Sequence, residues 1–261
     1  MQSKKKLTTA FFRNFKNSSS PPRAPLQVLT CYDFSNATLL NTLPLHMILV
    51  GDSAGNVIFG HETTVNVTLE EMIMLGSSVR RGAADTFVVV DMPFGSYATV
   101  EDGLKNSIKL FQQTKADAIK VEGATPTTLM LIDRLIEVGI PVMGHLGLTP
   151  QSIHQIGSYR KHGKDEQEAE KLYFDALNLE KAGCFSLVLE CTTENLSERI
   201  TQKLTIPTIG IGAGKKVVDG QVLVLNDLLQ DGNHRIPSFC KPIANLFEIK
   251  RELLLNYLSE S

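Results

Sequence analysis

Phe87-Val88-Val89-Val90-Asp91 is a short β-type run that ends directly on a carboxylate. The same construction recurs at Met47-Ile48-Leu49-Val50-Gly51-Asp52, Ala118-Ile119-Lys120-Val121-Glu122 and Ser186-Leu187-Val188-Leu189-Glu190. A strand that delivers an acid at its C-terminal end does so where parallel α/β proteins place their ligands and active sites. One such acid reads equally well as a helix N-cap. Four in series bring oxygen ligands to one spot, which reads as a magnesium-type site with a carboxylate base beside it.

Around these runs, β-type and helical patterns alternate from Leu26 onward, the signature of a parallel sheet with crossover helices. Helices are expected from the capping box Thr68-Leu69-Glu70-Glu71 to Arg81, from Thr99 toward Lys115, and from Thr125 to Val138. Three more are expected from Asp165 to Ala182, Glu194 to Leu204 and Ile243 to Leu258. Beside the four acid-tipped runs, strands are expected at Gln27–Thr30, Pro141–Gly144 and Thr208–Gly212. An eighth falls either at Val222–Leu225 or near Phe239–Ala244. We therefore expect a closed (βα)8 TIM-type barrel forming a single domain over residues 26–261, its C-terminal helix free for oligomer contacts.

Residues 1–25 read as a basic lead-in, with no acid before Gln27 and a turn-forming boundary at Asn17-Ser18-Ser19-Ser20-Pro21-Pro22. The same pattern is compatible with a mitochondrial transit peptide, the alternative to a cytoplasmic protein. The 261 residues suit one large domain, and the net charge of −2, with interspersed signs, points to neither nucleic acid nor an anionic membrane. No apolar run reaches the roughly 18 residues that a membrane span needs. Cys31, Cys184, Cys191 and Cys240 show no C-x-x-C spacing and read as reduced, buried apolar residues.

Asp52 and Asp91, short acids at strand ends, are the first candidates for metal ligands. Glu122 reaches the ion either directly or through water. Strict alternation puts Lys120 on the same strand face as Glu122, either as a structural ion pair or to meet an anionic substrate. Glu190 follows an apolar strand, where desolvation makes a carboxylate a better base, and is the candidate general base. His145, after Pro141-Val142-Met143-Gly144, reads as a proton carrier or a substrate hydrogen-bond donor, or as a plain loop residue. Gly210-Ile211-Gly212-Ala213-Gly214 lacks the rest of a phosphate-loop motif; it reads as a place where backbone amides approach a carboxylate or carbonyl.

The ordered series Tyr32-Asp33-Phe34, Val50-Gly51-Asp52-Ser53, Arg80-Arg81-Gly82-Ala83, Asp91-Met92-Pro93-Phe94, Lys120-Val121-Glu122-Gly123, Gly144-His145-Leu146-Gly147-Leu148-Thr149-Pro150-Gln151-Ser152, Val188-Leu189-Glu190-Cys191, Gly210–Gly214 and Asp219-Gly220-Gln221 resembles the ketopantoate hydroxymethyltransferase family. That resemblance implies a barrel of the phosphoenolpyruvate/pyruvate type, a magnesium ion, 5,10-methylenetetrahydrofolate as one-carbon donor and a homodecamer. It implies transfer of a hydroxymethyl group to 3-methyl-2-oxobutanoate, giving 2-dehydropantoate for pantothenate and coenzyme A synthesis. By motif it makes Asp52 and Asp91 metal ligands, Glu122 the third metal-site acid, Ser53 and Lys120 holders of the 2-oxoacid, and Glu190 the proton acceptor. The chain departs from the family pattern at Glu62–Thr68, at Thr192-Thr193 and over 225–232, all in or near connecting loops. Two other readings use the same acids: a magnesium-dependent 2-oxoacid lyase or aldolase on the same barrel, and a ligand-binding oligomer without catalysis.

Overall fold

A computed structural model describes residues 6–17 and 24–260. Eight parallel strands close into a barrel in chain order: β1 (Leu26–Thr30), β2 (Met47–Val50), β3 (Phe87–Asp91), β4 (Ala118–Glu122), β5 (Val142–Gly147), β6 (Ser186–Glu190), β7 (Thr208–Ile211) and β8 (Gly220–Leu223). Because successive side chains on a strand point to opposite faces, each strand feeds two cores. Ile48, Val50, Val88, Val90, Ile119, Val121, Leu187 and Leu189 face the surrounding helices. Met47, Leu49, Phe87, Val89, Ala118, Met143, Val188, Ile209, Ile211 and Val222 fill the barrel interior.

The helices start where their caps are. Thr68 makes a complete capping box with Glu71 at the head of Leu69–Gly82, and Thr99, Thr125 and Asp165 each accept a backbone N–H of their own first turn. A helix at Phe34–Asn41 was not anticipated from the sequence; Asp33 caps it by accepting from Asn36 N. The last helix begins at Leu246 rather than Ile243, because Asn245 is its cap.

Two expectations need correction. β5 runs past Gly144 to Gly147, so His145 lies within the strand and points into the barrel. The eighth strand is Gly220–Leu223, overlapping only the first of the two expected intervals. It begins on Gly220 because a Cβ there would stand 2.5 Å from Leu26 Cβ. The described part of the lead-in packs against the barrel. A short helix, Thr9–Arg13, places Phe12, fully buried, against Phe87 and Phe185 with ring centroids 4.9 and 5.7 Å apart, closing the N-terminal end of the interior. Lys6 pairs with Asp117 and Lys16 with Asp219 to fix this plug. The Ser18–Pro22 boundary lies outside the described residues. Among the described residues, no helix is long and apolar enough to cross a membrane.

Candidate active site

The inward row that is apolar through the middle of the barrel turns polar at the C-terminal mouth. Two residues beyond Val89 stands Asp91; two and four beyond Ala118 stand Lys120 and Glu122; two beyond Met143 stands His145; two beyond Val188 stands Glu190. Lys120 and Glu122 share the inner face, as alternation requires. β2 is followed by Gly51, where a Cβ would lie 2.7 Å from Ser53 Oγ and 3.6 Å from Asp91 Oδ2. The glycine lets the turn carrying Asp52 and Ser53 fold over the mouth beside Asp91. All four sequence-predicted acids, together with Lys120, His145 and Ser53, meet in this one place.

The contacts form a continuous network. Asp91 Oδ2 accepts from Asp52 N at 3.1 Å and pairs with Lys120 Nζ at 3.0 Å. His145 Nδ1 lies 3.3 Å from both Lys120 Nζ and Glu122 Oε1, and its Nε2 lies 3.4 Å from Glu190 Oε2. With a proton on Nδ1 the ring donates toward Glu122; without it, Nδ1 accepts from Lys120. Ser53 Oγ shares a 2.7 Å hydrogen bond with the buried Tyr32 hydroxyl.

Gln151 was not singled out as a site residue from the sequence, yet it ties the acids together. Its Nε2 donates to Asp52 Oδ2 at 2.8 Å and to Met92 O at 2.9 Å, and its backbone N donates to Glu122 Oε2 at 3.2 Å. Tyr97 donates to Gln151 Oε1 at 2.6 Å and so fixes the amide's orientation. Buried Gln with three carboxylate or carbonyl acceptors has no periodicity to announce it. The only signal was its place in the stretch after His145.

Electrostatics follow from three carboxylates and two bases buried together. Burial raises Asp52, and the neighbouring Glu122 and Asp91 charges add to that, to about 8. Burial also raises Asp91, with Lys120 opposing. Burial would raise Glu122 too, but His145 and Lys120 outweigh it and hold that carboxyl below its usual range. Burial and Lys120 push His145 down, while Glu122 and Glu190 more than offset them and bring it to about 9.

A divalent ion fits this arrangement. Asp91 Oδ1 and Glu122 Oε1 are buried without a hydrogen bond, a costly state for carboxylate oxygens unless a cation or a ligand meets them. Among the described residues no three His, Cys, Asp or Glu side chains form a ready-made cage. Magnesium needs no such cage: it takes one or two protein carboxylates and completes its octahedron with water and substrate.

Glu190 is 15% exposed, the most open of the acids. Behind it, Cys191 adopts a left-handed conformation at φ 50°, and Gly147 (φ 95°) could bear no side chain, since a Cβ would lie 2.1 Å from Glu190 O. Cys191 is half-exposed, unlike the other three cysteines, which are buried as expected. The loop over 157–165 is tied to this strand end by His162 N to Cys191 O at 2.8 Å and Thr193 N to His162 O at 2.9 Å. Glu168 accepts from Arg160, His162 and Gly163 N to hold the loop's shape. Within the glycine stretch, Gly212 (φ 65°) makes room for the Phe239 ring and Cys191.

Solved structures with this fold include a putative phosphonomutase from Burkholderia cenocepacia, with a TM-score of 0.63 and 15% identity over 84% of this chain and 91% of that one. Another is a phosphonopyruvate hydrolase complexed with oxalate and Mg++, with a TM-score of 0.61 and 9% identity over 97% of this chain and 99% of that one. At such identities the likeness is one of fold. Sequence relatives are much nearer. The 3-methyl-2-oxobutanoate hydroxymethyltransferase of a Geobacillus species is 47% identical over 237 residues, 90% of this chain and 84% of the relative. That of Leptospira interrogans is 46% identical over 236 residues, 90% of this chain and 89% of the relative. With the family pattern for ketopantoate hydroxymethyltransferase matching residues 6–261, the chain belongs to that family.

Proposed function

We propose that this chain transfers a hydroxymethyl group from 5,10-methylenetetrahydrofolate to 3-methyl-2-oxobutanoate, giving 2-dehydropantoate on the route to pantothenate. The observation that carries this reading is the mouth itself: two buried carboxylate oxygens, of Asp91 and Glu122, that lack a hydrogen bond, a buried ammonium beside them, and a more open glutamate at the edge. Asp52 and Asp91 would hold magnesium, with Glu122 as the third metal-site acid, directly or through water. When bound, the ion supplies Lewis-acid polarisation of the 2-oxoacid. Lys120 Nζ and the Ser53 hydroxyl position the substrate carboxylate and offset its charge.

Glu190 then removes the C3 proton, and the enolate attacks the one-carbon unit carried by the folate. Water supplies the hydroxyl oxygen, and tetrahydrofolate leaves with its redox state unchanged, so neither nicotinamide nor flavin is required. His145 Nε2 lies 3.4 Å from Glu190 Oε2, where an imidazolium steadies and orients that carboxylate. The lyase reading shares the acids but has no use for folate. Turnover of 3-methyl-2-oxobutanoate that depends on added methylenetetrahydrofolate supports the transferase. Folate-independent cleavage of a 2-oxoacid would replace it with the lyase.

We further propose a homo-oligomer, with the family's decamer as the expected size. The helix Leu246–Ser259 buries none of its side chains, and Leu253, Leu254, Leu255 and Leu258 are each at least half exposed. Such a stripe is stable in water when another copy covers it. The reaction is placed in the cytoplasm, in keeping with four free cysteines.

A further inference from the structure

The polar groups of the site come from one side of the mouth, β2 through β6. The opposite side is built differently. There the inward row carries Ile211 and Val222, and Phe239 packs onto the same interior cluster from the long segment after β8. Its position is fixed at the mouth: a Cβ on Gly212 would stand 3.0 Å from Phe239 Cδ1 and 3.3 Å from Cys191 Sγ. Gly212 follows Ile211, and Ile211 pairs in register with Glu190. The ring therefore lies next to the strand end that carries the base.

The segment holding Phe239 is pinned on both sides. Cys240 N donates to Pro237 O at 2.9 Å, Ile243 N to Leu228 O at 2.8 Å, and His234 Nε2 lies 2.8 Å from Asp227 Oδ1. Phe239 itself is only half-buried, so part of the ring remains to be covered. A general base must come within hydrogen-bond reach of the C–H that it ionises. C3 of the 2-oxoacid and its substituents must then sit beside Glu190, and Ile211, its register partner, with Phe239 against the following Gly212, gives that strand end an apolar side.

We propose that Phe239, seated on Gly212, is a specificity-determining residue that receives the branched apolar end of the 2-oxoacid. The identity of that substrate rests on the transferase reading; the apolar wall does not. Glycine at 212 is what lets the ring come this close, and the wall gives the site a reason to prefer a C3-branched 2-oxoacid over an unbranched one.

The test is calorimetric binding of pyruvate, 2-oxobutanoate and 3-methyl-2-oxobutanoate, in magnesium buffer, to the full chain and to Phe239→Ala and Phe239→Leu. Affinity in the parent should rise along the series. Phe239→Ala should cut the ratio between 3-methyl-2-oxobutanoate and pyruvate by about tenfold, the usual worth of a methyl or two in an apolar pocket, with Phe239→Leu between the two. Measurable pyruvate binding shows that each variant is folded. A ratio unchanged in both variants overturns the proposal, even if the parent turns over with folate. A parent that shows the gradient, loses it in Phe239→Ala, yet never transfers a hydroxymethyl group keeps the wall and refutes the transferase. If no 2-oxoacid binds at all, both fail.

Discussion

The two ends of the barrel interior are built from the same row of inward-facing positions and have opposite character. At the N-terminal end Phe12, Phe87 and Phe185 pack ring against ring in apolar contact. At the C-terminal end the row carries Asp91, Lys120, Glu122, His145 and Glu190, and two buried carboxylate oxygens lack a hydrogen bond. The lower end lowers the free energy of the fold. The upper end raises it, because burying charge with incomplete partners is costly. A costly arrangement persists where binding or chemistry needs it, which separates the end that holds the barrel together from the end that works.

That contrast should break most visibly at the plug. Phe12→Ala leaves a cavity under Phe87 and Phe185 and should cost about 3–5 kcal/mol of stability. Thermal melting should show the loss, while substrate affinity at low temperature stays near that of the parent. A chain starting at Ala24 removes the plug altogether and should be less stable still. If Phe12→Ala melted normally, the aromatic trio would not be what closes the barrel.

At the other end the effects should fall on binding rather than stability. The double variant Asp52→Asn, Asp91→Asn should weaken magnesium by more than about a hundredfold, since even residues that only support metal ligands cost 10- to 100-fold when lost. Binding of the 2-oxoacid should weaken with it, and calorimetry reads both. Tight magnesium binding in this variant would show that the ligands lie elsewhere.

Gln151 offers a finer cut. Gln151→Leu keeps the volume but strands Asp52 Oδ2 and the Tyr97 hydroxyl. Magnesium affinity should drop by about 10- to 100-fold through loss of orientation alone, and Gln151→Glu should not restore it, because a carboxylate cannot donate to Asp52. Unaltered affinity in Gln151→Leu would make the glutamine a purely structural tie.

How legible was all this in the sequence? The upper end was, because an acid after an alternating apolar run has a fixed direction once the strand is assigned; Asp91, Glu122 and Glu190 all lie on the inner face for that reason alone. The lower end was not. Phe11-Phe12 is too short a run to mark an element, and its partners Phe87 and Phe185 are remote in sequence. β8 was blurred because Gly220 and Gln221 weaken its apolar pattern, and the glycine is there for close approach to Leu26. Gln151 and Phe239 were missed as site residues for the same cause: each acts through contacts that only the closed barrel creates.

The central claim is that Glu190 removes the C3 proton in a site assembled from β2 through β6. Deuterium exchange at C3 of 3-methyl-2-oxobutanoate, followed by NMR in D2O with magnesium and no folate, tests it most directly, since it isolates proton abstraction from transfer. The parent should exchange, and Glu190→Gln should exchange about 10²- to 10⁴-fold more slowly while still binding the 2-oxoacid. Exchange at the parent rate in Glu190→Gln would contradict the assignment and move the base to His145.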